Sequence, residues 1–356
     1  MEGKAGTIHS DVYQAYSDNL RKAVGGVFRS DDYGDKYFEL QAQLQANVTR
    51  FAAYKAYHLT EQLKKKREEW PNDDDFKNIA KAMMNTFNRY QAAEYNTATA
   101  RARTAKQWND FNADPIANEL YPNLRWLPSR SANPREEHQA FYWLVLPKTD
   151  DFWKQNQPGN LWNCKCDWEE TDAPIDTKEL KADDLAKARS EGGGIHANGL
   201  EGNPAVTGEI FTQGCTYFKQ AGKDAAVEVI KTVRTIVREQ FVDLEKHLTT
   251  SLGNVLVDNI TMIEVSKGSA TDKTYFLKQE IASNFDKYIE KLHPLQPENV
   301  DLSHNRKNNI FYKRKKQFEQ EEGMKVFSLA LGEYTFTVKL GKFRKDGSYH
   351  LYTITG

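Results

Sequence analysis

The residues best suited to chemistry lie in one aromatic-rich segment, which runs from Asn133 to Cys166. The segment contains His138 and a tight Cys-Lys-Cys whose cysteines are Cys164 and Cys166. Two cysteines with one residue between them can both bind one metal ion as thiolates. Neutral histidine is a common partner ligand for zinc. Structural zinc sites more often have two residues between their cysteines, as in Cys-x2-Cys. Two buried apolar cysteines are therefore an open alternative to a metal site.

His138 has two other interpretations. Glu136 or Glu137 could orient it as a general base, although no nucleophile or second base lies at a readable spacing. The plainer alternative is a histidine whose hydrogen bonds are satisfied in the core. Asp150 and Asp151 are predicted to cap the turn that follows them, because adjacent residues seldom point the same way as an acid/base pair would require.

Three ordered motifs carry a family resemblance: Arg135–His138, Asp150–Trp153 and Pro158–Cys166. In this order they resemble the core signature of the phage Mu F-like minor head proteins. The flanking stretches Glu94–Trp108 and Gly202–Phe218 extend the resemblance to roughly residues 30–220. Two departures from the family pattern stand out. The second motif lacks its usual proline, and a lysine replaces the usual arginine between the two cysteines.

The resemblance implies a ligand set and a biological role. A histidine commonly precedes the closing Pro-Tyr in the family, and Cys215 takes its place here. A tetrahedral site of His138, Cys164, Cys166 and Cys215 is therefore expected, and four protein ligands would make the zinc structural rather than catalytic. The family role is capsid (head) morphogenesis at the portal or inner capsid. Portal and capsid proteins and packaged DNA are the implied partners, and the virion or the host bacterial cytoplasm is the implied location.

Composition sets broad limits on the protein. A chain of 356 residues is expected to form two or three domains. A net charge of −1 gives by itself no sign of a nucleic-acid partner. Three cysteines do not make a disulfide framework, which favours a reducing, intracellular setting. No apolar signal region opens the sequence and no stretch is long enough to span a bilayer, so neither secretion nor membrane insertion is predicted.

Two patterns divide the first 220 residues. Residues 10–112 have helical periodicity, with a break predicted at residues 70–75. The basic run Lys64–Arg67 at a helix end indicates either a solvated face or a contact with packaged DNA. Residues 113–220 are rich in Pro, Gly, Asn and Trp, which predicts short strands and long ordered loops.

The remaining residues predict a long helix followed by an α+β unit. Apolar residues recur every three or four positions from Ala226 to Leu248, which is typical of a coiled-coil type helix. This helix is either a connector, an oligomer contact or a core element. Lys273–Leu292 reads as a further helix, and Tyr334–Leu340 and His350–Thr355 predict a hairpin. The whole chain is thus predicted to be α+β, with parts at 1–112, 113–220, 221–255 and 256–356.

The last part is locally basic. From residue 303 onward, eleven lysines and arginines stand against five acidic residues. Such an excess is expected where a phosphate-bearing partner binds. Tyr312, Tyr349 and Tyr352 could stack bases beside it. A solvated basic surface without a partner is the alternative.

This part also resembles, more loosely, the barnase–EndoU–colicin–RelE-like nuclease domains that follow some Mu F-like proteins. The resemblance implies a metal-independent RNase, which needs a base, an acid and a cation for the phosphorane charge. His350 is the first candidate base or acid and His304 the second. Lys313 and Arg306 are candidate phosphate clamps, and Thr353 could bond a phosphate oxygen. An ordinary strand histidine is the alternative for His350.

Three functions follow from these resemblances. The preferred one is a phage or prophage minor head protein that carries a nuclease-like domain. The second is an RNase toxin that uses the head domain as its carrier, with RNA as substrate and an immunity protein as a further partner. The third is a purely structural virion protein whose C-terminal part binds nucleic acid without cleaving it.

Overall fold

A computed structural model describes residue 8 and residues 10–28, 37–177, 180–221, 223–241, 245–268, 274–296, 324–342 and 347–356. The fold is α+β, as predicted. The chain divides into two compact units, residues 1–222 (unit 1) and residues 223–356 (unit 2).

Three long helices build the first part of unit 1: α1 (Ser10–Gly25), α2 (Phe38–Glu69) and α3 (Asp73–Ala113). The break predicted between the second and third helices is confirmed. The side chain of Asn72 accepts hydrogen bonds from the amides of Asp74 and Asp75, and thereby caps the start of α3. Ala98, Ala102 and Ala105 of α3 are buried, and such a face of small residues lets helices pack closely.

Short elements and ordered loops follow, as predicted for this part of the chain. They are α4 (Pro115–Leu120), β1 (Asn123–Leu127), α5 (Glu136–Gln139), β2 (Val145–Pro147), α6 (Phe152–Gln155), β3 (Asp167–Thr171), α7 (Ala182–Arg189), α8 (Pro204–Thr207) and α9 (Thr216–Lys219). The strands form an antiparallel sheet in the order β2-β1-β3. Large aromatic side chains fill the core beside it, among them Trp126, Phe141, Phe152, Trp153 and Trp168.

Two buried polar side chains connect the long helices to these loops. Arg101 of α3 is fully buried and donates to the side chain of Asn160 and to the carbonyl of Leu200. Asn47 of α2 exchanges two hydrogen bonds with the backbone of Phe211, at 3.0 and 2.9 Å. Unit 1 is therefore held by specific polar contacts as well as by apolar packing.

Unit 2 is a mixed sheet with helices. Its elements are α10 (Lys223–Gln240), β4 (Glu245–Thr250), β5 (Gly253–Asp258), α11 (Asn259–Val265), α12 (Thr274–Ser283), β6 (His293–Pro294), β7 (Met324–Leu331), β8 (Tyr334–Lys342) and β9 (Tyr349–Thr355). The strand order is β4-β5-β9-β8-β7-β6. The pairing of β5 with β9 is parallel, and the other pairings between these strands are antiparallel.

Two predictions for unit 2 need correction. The helix expected to reach Leu248 ends at Gln240, and Leu248 lies in β4 instead. The spacing of Leu248 from the preceding apolar residues continues the helical pattern. The tight connection at residues 251–252, with Gly253 at φ 105°, nevertheless makes β4 one arm of a hairpin with β5. The helix expected over 273–292 is shorter: α12 ends at Ser283, and two 3-10 turns follow it.

The C-terminal hairpin is confirmed. Strand β8 pairs antiparallel with β9, and Gly341 lies opposite His350. Phe336, Val338 and Leu340 are buried while the residues between them are exposed or half-buried, so the predicted alternation is present.

Candidate metal centre

One group of metal-ligating side chains comes together in unit 1. His138, Cys164 and Cys166, named here the His-Cys-Cys site, have ligand atoms within 4.8 Å of one another. The Nδ1 atom of His138 lies 3.3 Å from Cys164 Sγ and 3.8 Å from Cys166 Sγ. Ordinary zinc–ligand bond lengths and tetrahedral angles require a nitrogen–sulfur separation of about 3.6 Å. The donors therefore already stand at ligand distances.

Local backbone structure explains how these side chains meet. His138 lies in the short helix α5, and its ring packs edge-on against Trp126 of β1, with centroids 5.1 Å apart. The Cys164 amide donates to the Leu161 carbonyl at 3.0 Å, which closes a tight turn. Asn163 sits in that turn at φ 58°, a left-handed conformation that asparagine tolerates better than most residues. The cysteine pair then leads directly into β3.

Hydrogen bonds around the site favour its ligand form. His138 Nε2 lies 3.4 Å from the Ile195 carbonyl, so the tautomer that a bound metal requires, with the proton on Nε2 and the Nδ1 lone pair toward the sulfurs, has an acceptor for its N–H. The Cys166 amide donates to Cys164 Sγ at 3.5 Å. The indole N–H of Trp126 is buried and has no hydrogen-bond partner among the described residues. A thiolate bound to a cation accepts such donors readily.

The two thiols influence each other's protonation. The hydrogen bond with Cys166 lowers the pKa of Cys164 to about 4, with a further lowering from His138 and an opposing effect of burial. The pKa of Cys166 is raised, first by the neighbouring Cys164 and then by burial. The lowered pKa of Cys164 favours its thiolate, which is the form of cysteine that binds a metal cation.

Asp167 anchors the cysteine loop to its surroundings. Its carboxylate accepts a hydrogen bond from Arg130 at 2.8 Å and one from Gln107 of α3 at 3.3 Å. The Arg130 amide also donates to the Lys165 carbonyl, between the two cysteines. The backbone that carries both sulfurs is therefore fixed on two sides.

The predicted fourth ligand needs correction. Cys215 is buried and begins helix α9, but it does not belong to the His-Cys-Cys site. Its Cα lies against Gly199, where an added Cβ would stand 2.7 Å away. Burial raises the pKa of the Cys215 thiol to about 11, with smaller contributions from the carboxylates of Glu94 and Glu201. Three of the four predicted ligands thus come together. Cys215 does not complete the coordination shell as predicted.

The predicted nuclease residues are placed as follows. His350 is fully buried, and its Nε2 lies 3.0 Å from Asp258 Oδ1. Thr353 is half-buried in β9, opposite Lys339 of β8. His304, Arg306 and Lys313 lie outside the described residues. The described position of His350 corresponds to the alternative of a core histidine in a strand.

The predicted nucleic-acid surface is only partly described. Tyr349 is buried, and Lys325 Nζ lies 4.7 Å from the centre of its ring. Burial raises the pKa of Tyr352 to about 12, with a smaller contribution from the carboxylate of Glu264. Tyr312 and most of the basic residues after position 303 lie outside the described residues, so this surface stays a prediction.

The capping role predicted for Asp150 is confirmed. Its Oδ1 accepts the amide of Phe152 at 2.9 Å, and its two oxygens accept both ends of the Arg189 guanidinium, at 2.8 and 2.5 Å. Burial acts to raise the pKa of Asp150, but the hydrogen bonds from Arg189 and Phe152 prevail and lower it. The capping role predicted for Asp151 is wrong: its side chain makes no capping hydrogen bond, is exposed and pairs with Lys154 three residues on.

Sequence reasoning missed three buried polar features. They are the Trp126 indole beside the site, the Arg101 side chain and the ion pair between Lys55 and Glu94. A signal existed for Arg101, because this arginine lies three residues after Ala98 and four before Ala105, on the small-residue face of the helix. The other two have no local sequence signature.

Within the described residues, no helix has both the length and the apolar character needed to cross a bilayer. No protein-family model, curated protein or solved structure matches the chain. A functional proposal therefore rests on the geometry of the His-Cys-Cys site and on the motifs around it.

Proposed function

We propose that unit 1 is a structural module held together by one zinc ion at the His-Cys-Cys site, and that the chain acts in phage head morphogenesis. The observation that supports the metal is the meeting of three buried donors at ligand distances. Thiolate and imidazole ligands suit zinc, which needs no redox partner. The motifs that resemble Mu F-like minor head proteins support the role in the head.

The zinc ion would supply a crosslink between two segments of the chain. His138 belongs to α5, and the cysteines belong to the loop that enters β3. With the ion bound, both segments are fixed against the aromatic core around Trp126. Small or loop-rich domains commonly gain folding free energy in this way, because the ion binds only the folded arrangement.

Metal analysis tests the metal site. Full-length protein purified without chelator is expected to contain about one zinc per chain. Cys164→Ser and Cys166→Ser are expected to lose the ion and to melt at lower temperature. Cys215→Ser is the matched control, since it removes an equally buried cysteine that lies outside the site, and it should keep its zinc. Zinc-free wild-type protein, or variants that keep the ion, would remove the basis of the proposal.

The morphogenesis role needs a separate test. The chain should be found by mass spectrometry in virions purified from the strain that encodes it, at low copy number beside the portal protein. Its absence from intact, portal-containing virions would contradict the role in the head without affecting the metal site. RNA cleavage by unit 2 stays a prediction.

A further inference from the structure

A cavity borders the His-Cys-Cys site. It has a volume of about 690 Å³, and both Cys164 and Cys166 form part of its wall. His138 does not line the cavity and is fully buried. The imidazole therefore approaches from the interior of unit 1, while the two sulfur-bearing residues stand between the interior and the cavity.

The protein supplies three donors rather than four. Among the described residues, no further cysteine, histidine or carboxylate joins the three within ligand distance. Glu136 and Glu137 also line the cavity, but both side chains are exposed and lie outside the ligand group. Structural zinc sites are closed by four protein ligands, whereas three protein ligands leave one position for an exogenous ligand.

We infer that a metal ion in this site keeps one coordination position open toward the cavity, where it holds an exchangeable small ligand. The inference rests on the proposed metal binding and adds to it, because a purely structural ion would have a closed shell. Water is the resident ligand expected from the polar wall, and a small neutral nitrogen donor can replace it.

Charge on the wall indicates which ligands are favoured. Two thiolates neutralise a divalent cation, so the centre itself has little attraction for anions. Of the charged residues in the wall, Arg135 contributes one positive charge and Glu136 and Glu137 contribute two negative ones. Arg135 is also held at the rim by its hydrogen bond to the Trp162 carbonyl at 3.4 Å. A neutral ligand such as imidazole is therefore expected to bind more tightly than azide.

Cobalt substitution tests the open position without requiring an enzymatic activity. Full-length protein loaded with Co²⁺ is titrated with imidazole and, separately, with azide, and its visible absorption is recorded. The expected result is a saturable shift of the d–d bands while the thiolate-to-cobalt charge-transfer band keeps its intensity. Cys215→Ser should give the same titration as the wild type.

Results that contradict the open position can be distinguished from a result that contradicts the metal site. A charge-transfer band that is present, with d–d bands that do not shift on addition of imidazole, would overturn the open position while leaving the metal site intact. Loss of the charge-transfer band during titration would indicate extraction of the ion and would also overturn it. Failure of Co²⁺ to bind at all would instead contradict the proposed metal site on which the inference rests.

A double variant, Glu136→Gln with Glu137→Gln, separates a closed shell from an open one. If a glutamate served as the fourth ligand, the wild type would not respond to imidazole and the variant would, which would overturn the inference. With an open position both proteins respond. Removal of two negative charges should then tighten azide binding by about threefold, with little change for imidazole.

Discussion

At the residue scale, Lys55 and Glu94 form an ion pair almost fully withdrawn from water. Their charged atoms lie 2.5 Å apart, and the side chains are 0% and 4% exposed. Burial lowers the pKa of Lys55 and raises that of Glu94, although each charge acts in the opposite sense on the other. Desolvation thus opposes the charged forms of both side chains, as is common for buried pairs.

Removal of one partner should therefore cost more than removal of both. Lys55→Met is expected to lower the free energy of unfolding of unit 1 by about 3–5 kcal/mol, because it leaves a buried carboxylate uncompensated. The double variant Lys55→Met with Glu94→Leu should recover most of that loss. Urea unfolding followed by tryptophan fluorescence measures both. A double variant as unstable as the sum of the single ones would contradict this account.

The Asp150–Arg189 pair makes stability depend on pH. The pKa of Asp150 is lowered in the folded protein below its usual 3.8, so its stabilising contribution is present above that pH and is lost as the pH falls through the folded pKa. Asp150→Asn should cost about 2 kcal/mol at pH 7, the size expected for hydrogen bonds to a charged group. The difference from wild type should shrink as the pH falls below 3.8.

Chemical denaturation at several pH values measures this difference. Asp151→Asn is the matched control, since its carboxylate is exposed and pairs with Lys154 in a surface contact. It should change stability by less than about 0.5 kcal/mol at any pH. An Asp150→Asn effect that does not depend on pH would exclude the ionised carboxylate as its source.

At the element scale, one histidine connects a strand to a helix in unit 2. His350 of β9 contacts Asp258, whose Oδ1 also accepts the amides of Ile260 and Thr261 and so caps α11. The Thr261 hydroxyl in turn donates to the Leu351 carbonyl. The contact of His350 with Asp258 thus connects strand β9 to the start of α11.

His350→Ala should consequently destabilise unit 2, by about 2–4 kcal/mol, because it removes a partner of a buried carboxylate and leaves a cavity. Thermal unfolding measures the loss. His247→Ala is the control, since that imidazole lies on the surface of β4 and is 67% exposed. RNA cleavage by the full chain in EDTA should be measured beside it. Cleavage lost in a His350→Ala protein that melts like the wild type would contradict the structural role.

Some elements and part of the site could be predicted from the sequence, for physical reasons. Period-two alternation over Tyr334–Leu340 is a local signal, and so is the affinity of Cys164, Cys166 and His138 for metals. Cys215 could not be excluded from the site, because motif order says nothing about distance in space. The end of α10 at Gln240 was missed since no glycine or proline marks it. Pairing between β5 and β9 depends on contacts far apart in sequence, which leave no local pattern.

At the scale of the whole molecule, the metal site lies in one unit only. Unit 1 contains the His-Cys-Cys site, whereas no such group occurs in the described part of unit 2. A ligand that binds only the native state stabilises the cooperative unit that contains it. The two units should therefore respond differently to the removal of metal.

Calorimetry of the full chain is expected to resolve two unfolding transitions. A strong chelator should lower the midpoint of one of them by several degrees and leave the other unchanged. Cys164→Ser should show the lowered midpoint already without chelator. A single transition that moves as a whole would show instead that the two units unfold together.

The position of β9 has a consequence for biosynthesis. This strand joins β5 to β8 in the middle of the sheet, yet the ribosome makes it after every other described strand of unit 2. Until residues 349–355 emerge, the nascent chain holds a β4–β5 hairpin and a β7–β8 hairpin whose inner edges have no partner. Open strand edges of this kind attract other chains. The sheet therefore stays open to misassembly until β9 has left the ribosome and paired with β5 and β8.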